Sequence, residues 1–256
     1  MSDASLRHKN EKAQKDILEQ LFENTAMTQF EMFRNFPVFT PRFNLARFLV
    51  HYELFKQICD LPGVIIELGV YQGASLFTWA KLAEIFCPTD IRKTVFGFDT
   101  FEGFPSLSEA DGAEDKALDR QKGGFACGGS IEADLDLARQ AMNADKHLKH
   151  INRIELVKGD MCATIPEFVR ARGDGLKVAL LNIDCDLYEP TKTALEKFVP
   201  RMVKGGIIVL DEYALETFGG ESKAVDEYFQ KHLNARPDIK KFTWHSVPSG
   251  YIKVDW

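Results

Sequence analysis

Two apolar runs of strand length end in acids: Val178 to Ile183 leads into Asp184-Cys-Asp186, and Ile207 to Leu210 leads into Asp211-Glu212. Continuous apolar runs are what strands buried on both faces require, so these two deliver carboxylates to one edge of a sheet. Open α/β sheets bind their ligands at that edge. Three or four carboxylates gathered there repel one another unless a cation or a proton settles the charge. Hard oxygen ligands suit Mg²⁺, Ca²⁺ or Mn²⁺, and Asp184, Asp211 and Glu212 are the expected metal set. Asp186, just before Leu187-Tyr188-Glu189, reads equally well as the N-cap of a following helix.

A second group of residues lies nearer the N-terminus. Glu67-Leu-Gly-Val-Tyr-Gln-Gly73 places an acid at a strand end and glycines, Gly69 and Gly73, where backbone must approach a ligand closely. A dinucleotide fingerprint would read G-x-G-x-x-G, whereas these glycines are spaced G-x-x-x-G. Glu67 would repel a phosphate and attract the ammonium of an amino-acid moiety. The next strand ends in Asp99, from which a carboxylate can accept both hydroxyls of a ribose. An acid for an ammonium followed by an acid for a ribose describes a nucleoside joined to an amino acid, and the expected cofactor is S-adenosylmethionine.

The elements that must position these residues follow from periodicity. Val64 to Val70, Thr94 to Asp99, Ile154 to Val157, Val178 to Ile183 and Ile207 to Leu210 read as strands. Helical patterns over 74–86, 165–172, 189–199 and 222–233 alternate with them, which predicts an α/β fold with a parallel, doubly wound sheet. Lys240 to His245 and Tyr251 to Trp256, around Pro248-Ser-Gly250, predict a C-terminal antiparallel hairpin at the sheet edge. Residues 1–16 are polar and charged and read as a frayed segment or an exposed helix start. Ile17 to about Ile58 is helical in pattern and carries eight phenylalanines, so it needs something to bury against. It is expected to form an N-terminal helical layer on the sheet, with the interface of a homo-oligomer or a cap over the substrate as the alternatives. The division is then 1–60 for this cap and 61–256 for the main domain. A lid-like insertion is expected at about 100–150, glycine-bearing at first and helical from about Ile131 to Leu148, with a disordered connection as the alternative.

Composition limits the partners. The formal charge of −6 and the lack of a dense Lys/Arg run argue against nucleic acid and for a small-molecule partner. Five widely spaced cysteines without a CxxC pair suggest neither a disulfide framework nor a zinc site. No apolar run approaches the ~20 residues of a membrane span and no signal-peptide core is present, so a cytoplasmic location is expected.

With these residues in view, the chain resembles the S-adenosylmethionine-dependent O-methyltransferases, and among them the macrocin-type antibiotic-sugar enzymes (the TylF/MycF/NovP family). The resemblance spans roughly residues 60–230. Its anchors are Glu67 to Gly73, Phe98-Asp-Thr-Phe-Glu-Gly-Phe-Pro105, Thr164-Ile-Pro166, Ile183-Asp-Cys-Asp-Leu-Tyr-Glu-Pro-Thr191 and Gly205 to Tyr213. It implies a Rossmann-like class I methyltransferase sheet, with Glu67, Gly69, Gly73 and Ser75 at the methionine end of the cofactor. Asp99 would hold the ribose, and Asp160 with Met161 the adenine. Asp184 would be both metal ligand and base, with Asp211 and Glu212 completing a site for a divalent metal, Mg²⁺ above all. Where the family usually offers a second Asp, this chain has Glu212. The implied reaction is metal-assisted methylation of one hydroxyl of a vicinal diol on a sugar or sugar-nucleotide acceptor.

Two rival readings remain at this stage. Asp184-Cys-Asp186 is also the D-x-D by which some glycosyltransferases hold a metal-bound sugar diphosphate, although Glu67 would repel the phosphates. A catalytically silent cofactor-binding protein is the other. Histidines 8, 51, 147, 150, 232 and 245 show no ligand spacing, and Trp79 with Leu76, Phe77 and Leu82 reads as core.

Overall fold

The computed structural model describes residues 11–234 and 236–256; the expected frayed start lies outside them up to residue 10. The described residues begin with four helices, α1 (Glu11–Asn24), α2 (Gln29–Arg34), α3 (Phe36–Phe39) and α4 (Arg42–Lys56). Val50, Leu54 and Phe55 share one face of α4 and are buried, which fixes that helix to the sheet. On α2 no residue is buried, and Phe30 and Phe33 stand 77% and 73% exposed.

Strand and helix then alternate: β1 (Val64–Leu68), α5 (Ala74–Phe86), β2 (Val95–Asp99), α6 (Ile131–Asp145), β3 (Ile154–Lys158), α7 (Met161–Arg172), β4 (Val178–Ile183), α8 (Tyr188–Phe198), β5 (Met202–Leu210), α9 (Gly219–Leu233), β6 (Ile239–Lys240) and β7 (Gly250–Lys253). The seven-stranded sheet has the order β3-β2-β1-β4-β5-β7-β6. The first four pairings are parallel, and β7 pairs antiparallel with β5 and β6. This is the expected doubly wound α/β sheet with an antiparallel C-terminal addition. The hairpin is shorter on one side than expected, because the chain from 241 to 249 leaves the ladder and stacks Phe242 on Tyr251 at 5.5 Å. Among the described residues no helix is long and apolar enough to cross a membrane.

Successive strand residues point to opposite faces, and the core divides accordingly. Ile66, Leu68, Leu181, Ile183, Ile208 and Leu210 pack under α7, α8 and α9. Ile65, Leu180, Ile207 and Val209 pack under α4, α5 and α6. Each fully buried aliphatic side chain contributes roughly 1.5–3 kcal/mol, and both faces are filled. The apolar N-terminal layer is therefore one side of the sheet's own covering, through α4.

The stretch from 100 to 150 divides into two. Residues 131–145 are α6, the ordinary crossover helix between β2 and β3. The surplus is 100–130, two short 3₁₀ turns (Glu109–Asp111 and Lys116–Leu118) and irregular chain. Asp111 fastens it: its carboxylate accepts from Ser108 N at 2.7 Å and from Tyr188 N at 2.7 Å, so a residue of the insertion caps α8. Arg120 donates to the Thr217 carbonyl, and Phe125 touches the rings of Tyr71, Phe104 and Phe218.

Candidate functional site

Glu67 and Asn182 are register partners on β1 and β4 and lie on the α5 side of the sheet. Asn182 Nδ2 donates to Glu67 Oε2 at 2.9 Å, Trp79 Nε1 donates to the same oxygen at 2.9 Å, and the Ser75 hydroxyl donates to Oε1. With 0% exposure the carboxyl loses its hydration, and burial pushes its pKa up to about 7 against the pull of those three donors. Glu67 and Ser75, both expected at the cofactor's methionine end, are thus brought together in one buried network. Gly69 also makes a close backbone contact within the sheet edge. Its φ is +84°, and a Cβ there would lie 1.7 Å from the Asp184 carbonyl oxygen, so the turn after β1 presses on the end of β4. Gly73, also left-handed, caps the N-terminus of α5.

Asp99, at the end of β2, accepts from Tyr71 N (2.8 Å) through one oxygen and from Phe101 N (2.7 Å) through the other. Each oxygen keeps a second lone pair, so the carboxylate is held in place and can still accept from a diol. Asp160 is exposed and caps α7, accepting from Cys162 N at 2.9 Å, with Met161 buried beside it.

The acids of β4 and β5 gather as expected. Asp184 and Asp211 continue the α4-facing parity of their strands, and there they meet Arg47. Its Nη2 lies 2.7 Å from Asp184 Oδ2 and 3.0 Å from Asp211 Oδ1, and its Nη1 lies 3.2 Å from Asp211 Oδ2. Asp186, with φ +63°, turns back into the cluster, and Tyr188 N donates to Asp111 instead. Oxygens of Asp184, Asp186 and Glu212 lie within 4.8 Å of one another, an all-oxygen donor set that fits a hard divalent ion. Asp186 here stands where the sequence expected Asp211, whose two oxygens face Arg47. Behind them Glu221, fully buried, accepts from Glu212 N at 3.2 Å through Oε1, and its Oε2 has no partner. Burial, then Asp211, raises Asp184 well above the usual carboxylate range, and the same causes push Asp186 up to about 7. Glu221 is raised well by burial and by Glu212. Carboxyls whose pKa values are raised together by burial and by one another mark a site short of positive charge.

The macrocin-O-methyltransferase (TylF) family matches residues 51–248. The chain belongs to that family. A rhamnosyl-tetracenomycin-C 4'-O-methyltransferase of Streptomyces olivaceus is 30% identical over 61% of this chain and 55% of its own length. The mycinamicin III 3''-O-methyltransferase of Micromonospora griseorubida is 24% identical, over 67% of this chain and 62% of its own length. The chain thus spans a little over half the length of these curated relatives. The crystal structure of the calicheamicin methyltransferase CalS11 is similar with a TM-score of 0.88 and 30% identity, covering 97% of this chain and 94% of that one. An apo structure of CalS11, described as a TDP-rhamnose 3'-O-methyltransferase, has a TM-score of 0.79 and 28% identity, covering 97% and 96%.

Three residues of this family member escape the sequence reading. Arg47 sits before the matched region, in an aromatic helix with no acid three or four positions away, and that lack was a signal that its partner lies elsewhere. Asn182 is the lone polar residue in Val178 to Ile183, and a buried amide demands partners. The spacing Ser108-x-x-Asp111 of a capping box was legible; its reach to Tyr188 was not.

Proposed function

We propose that this protein is an S-adenosylmethionine-dependent O-methyltransferase acting on one hydroxyl of a vicinal diol on a deoxysugar, nucleotide-linked or attached to a natural product. The observation that carries the reading is the arrangement of acids along one sheet edge. Asp99 closes β2, the Glu67 turn closes β1, and the cluster of Asp184, Asp186 and Glu212 follows β4 and β5, so cofactor and acceptor groups would meet at the β1–β4 junction. Family membership favours methyl transfer over glycosyl transfer and over a silent binding protein.

In this reading Asp99 accepts the ribose hydroxyls, and the buried carboxyl of Glu67 fixes the turn that faces the methionine end. Asp160 and Met161 border the adenine. Asp184, Asp186 and Glu212 would hold a divalent ion, Mg²⁺ by donor chemistry, with Asp211 as a neighbouring charge. When bound, the cofactor supplies an electrophilic methyl group and the cation lowers the pKa of a coordinated hydroxyl. Asp184, at the end of β4 beside the Glu67 turn, takes the hydroxyl proton. Residues 112–130 cover the edge and exclude water, with Phe125 lying against Tyr71 of the β1 turn. Exposed Phe30 and Phe33 would face a second copy in a homo-oligomer.

Calorimetry with S-adenosylmethionine and, separately, with a nucleotide sugar tests the class. Binding of the methyl donor is expected. Binding of the sugar nucleotide without it would favour the glycosyltransferase.

A further inference from the structure

We propose that Arg47 is a built-in counter-ion of the carboxylate cluster, and that a divalent cation must displace it to load the site. The proposal rests on the cation reading given above. Arg47 lies one turn before His51 on α4, and Val50, His51, Leu54 and Phe55 are all buried, so the helix that carries it is fixed on the sheet. Its guanidinium engages both oxygens of Asp211 and one oxygen of Asp184. Asp184 also belongs to the three-carboxylate group whose oxygens lie within 4.8 Å of one another. One carboxylate is therefore shared between a resident cation and the ion the cluster would bind, and two cations on the same carboxylate repel at short range.

Displacement is the only exit open to this residue. A guanidinium does not lose its proton in a protein, and Asp211 and Asp184 hold Arg47 further in the charged state. The site cannot be freed by a change of pH at Arg47; it can be freed by exchange. After Arg47 has paired, the cluster remains acidic, because Asp186, Glu212 and buried Glu221 add three carboxyls, one with an unpartnered oxygen. The remaining carboxyl oxygens offer the incoming ion its ligands, and the fixed α4 keeps the departing guanidinium close enough to return when the ion leaves. The empty and loaded sites are then two defined states of the same residues. Arg47 precedes the family-matched region, which begins at residue 51.

The test is titration of Mn²⁺ and of Mg²⁺ into the full-length protein by calorimetry, for the wild type, Arg47→Gln and Arg47→Lys. Arg47→Gln should bind Mn²⁺ at least tenfold more tightly, and Arg47→Lys, which keeps a charge on a shorter arm, should fall between. In EDTA the thermal midpoint of Arg47→Gln should drop below the wild type, and Mn²⁺ should raise it by more than it raises the wild type. Equal or weaker Mn²⁺ affinity in a folded Arg47→Gln would overturn the exchange and leave the cation reading standing. No Mn²⁺ binding by any of the three proteins would overturn both.

Discussion

Replacing Glu67 by Gln separates the charge of the buried carboxyl from its shape. In the folded protein burial lifts this group from 4.5 to about 7, so the folded state holds a proton that the unfolded chain has already released. Folded protein binding more protons than unfolded means that stability falls as pH rises, here from about 4.5 and levelling above about 7. A rise of roughly two and a half pKa units at ~1.4 kcal/mol each amounts to ~3 kcal/mol at full ionisation. Gln cannot titrate, and it can reproduce the contacts. Its amide oxygen can accept from Trp79 and Asn182 where Oε2 does now, and its NH₂ can donate to the Ser75 hydroxyl. Cofactor-free Glu67→Gln should therefore match the wild type near pH 5 and exceed it by up to ~3 kcal/mol at pH 8. Urea unfolding at pH 5, 6.5 and 8 measures the difference; the shift of Asp186 is common to both proteins, and that of Asp184 nearly so, because Glu67 is the least of the groups acting on it. A difference between the two proteins that does not change with pH would refute the reasoning.

Further outcomes follow from the same geometry. Asp99→Asn should bind S-adenosylmethionine more weakly, because charge-assisted hydrogen bonds to ribose, each ~1.5–3 kcal/mol, become neutral ones; unchanged affinity by calorimetry would remove Asp99 from the site. Asp184→Asn should keep the fold while kcat falls by about 10²–10⁴, the range for losing a general base; a wild-type rate would exclude that role. Asp111→Ala removes the cap of α8 and should cost ~1 kcal/mol, with trypsin cutting faster at Lys116, Arg120 and Lys122. In the wild type, cofactor plus acceptor should protect those sites, and cleavage unaffected by ligand would make 112–130 a fixed part of the scaffold.

The strands and the crossover helices were legible because burial on both faces writes itself into sequence as uninterrupted apolar runs. Val178 to Ile183 and Ala74 to Phe86 coincide with β4 and α5 to the residue. Boundaries moved where local chemistry gave no mark: β5 begins at Met202, well before the apolar run, because the glycines of Gly205-Gly206 are carried within the strand. The acids at the sheet edge were legible as a group. The pairing of Arg47 with Asp184 and Asp211, apart from the grouping of Asp184, Asp186 and Glu212, was not, since Arg47 and Asp211 stand 164 positions apart and meet only through the packing of α4 on the sheet. Asp186 could be read as cap or ligand; its left-handed backbone and the arrival of Asp111 at Tyr188 decide where its carboxylate goes, and neither is written near it.

The central claim is tested most directly by following a labelled methyl group from S-adenosylmethionine into nucleotide-linked deoxysugars, with Mg²⁺ and with EDTA. The expected result is a methyl ether on one hydroxyl of a vicinal diol, formed with Mg²⁺ and lost in chelator. Equal product in EDTA would contradict the role given to Asp184, Asp186 and Glu212, and a folded protein that neither binds the methyl donor nor labels any sugar would contradict the claim as a whole.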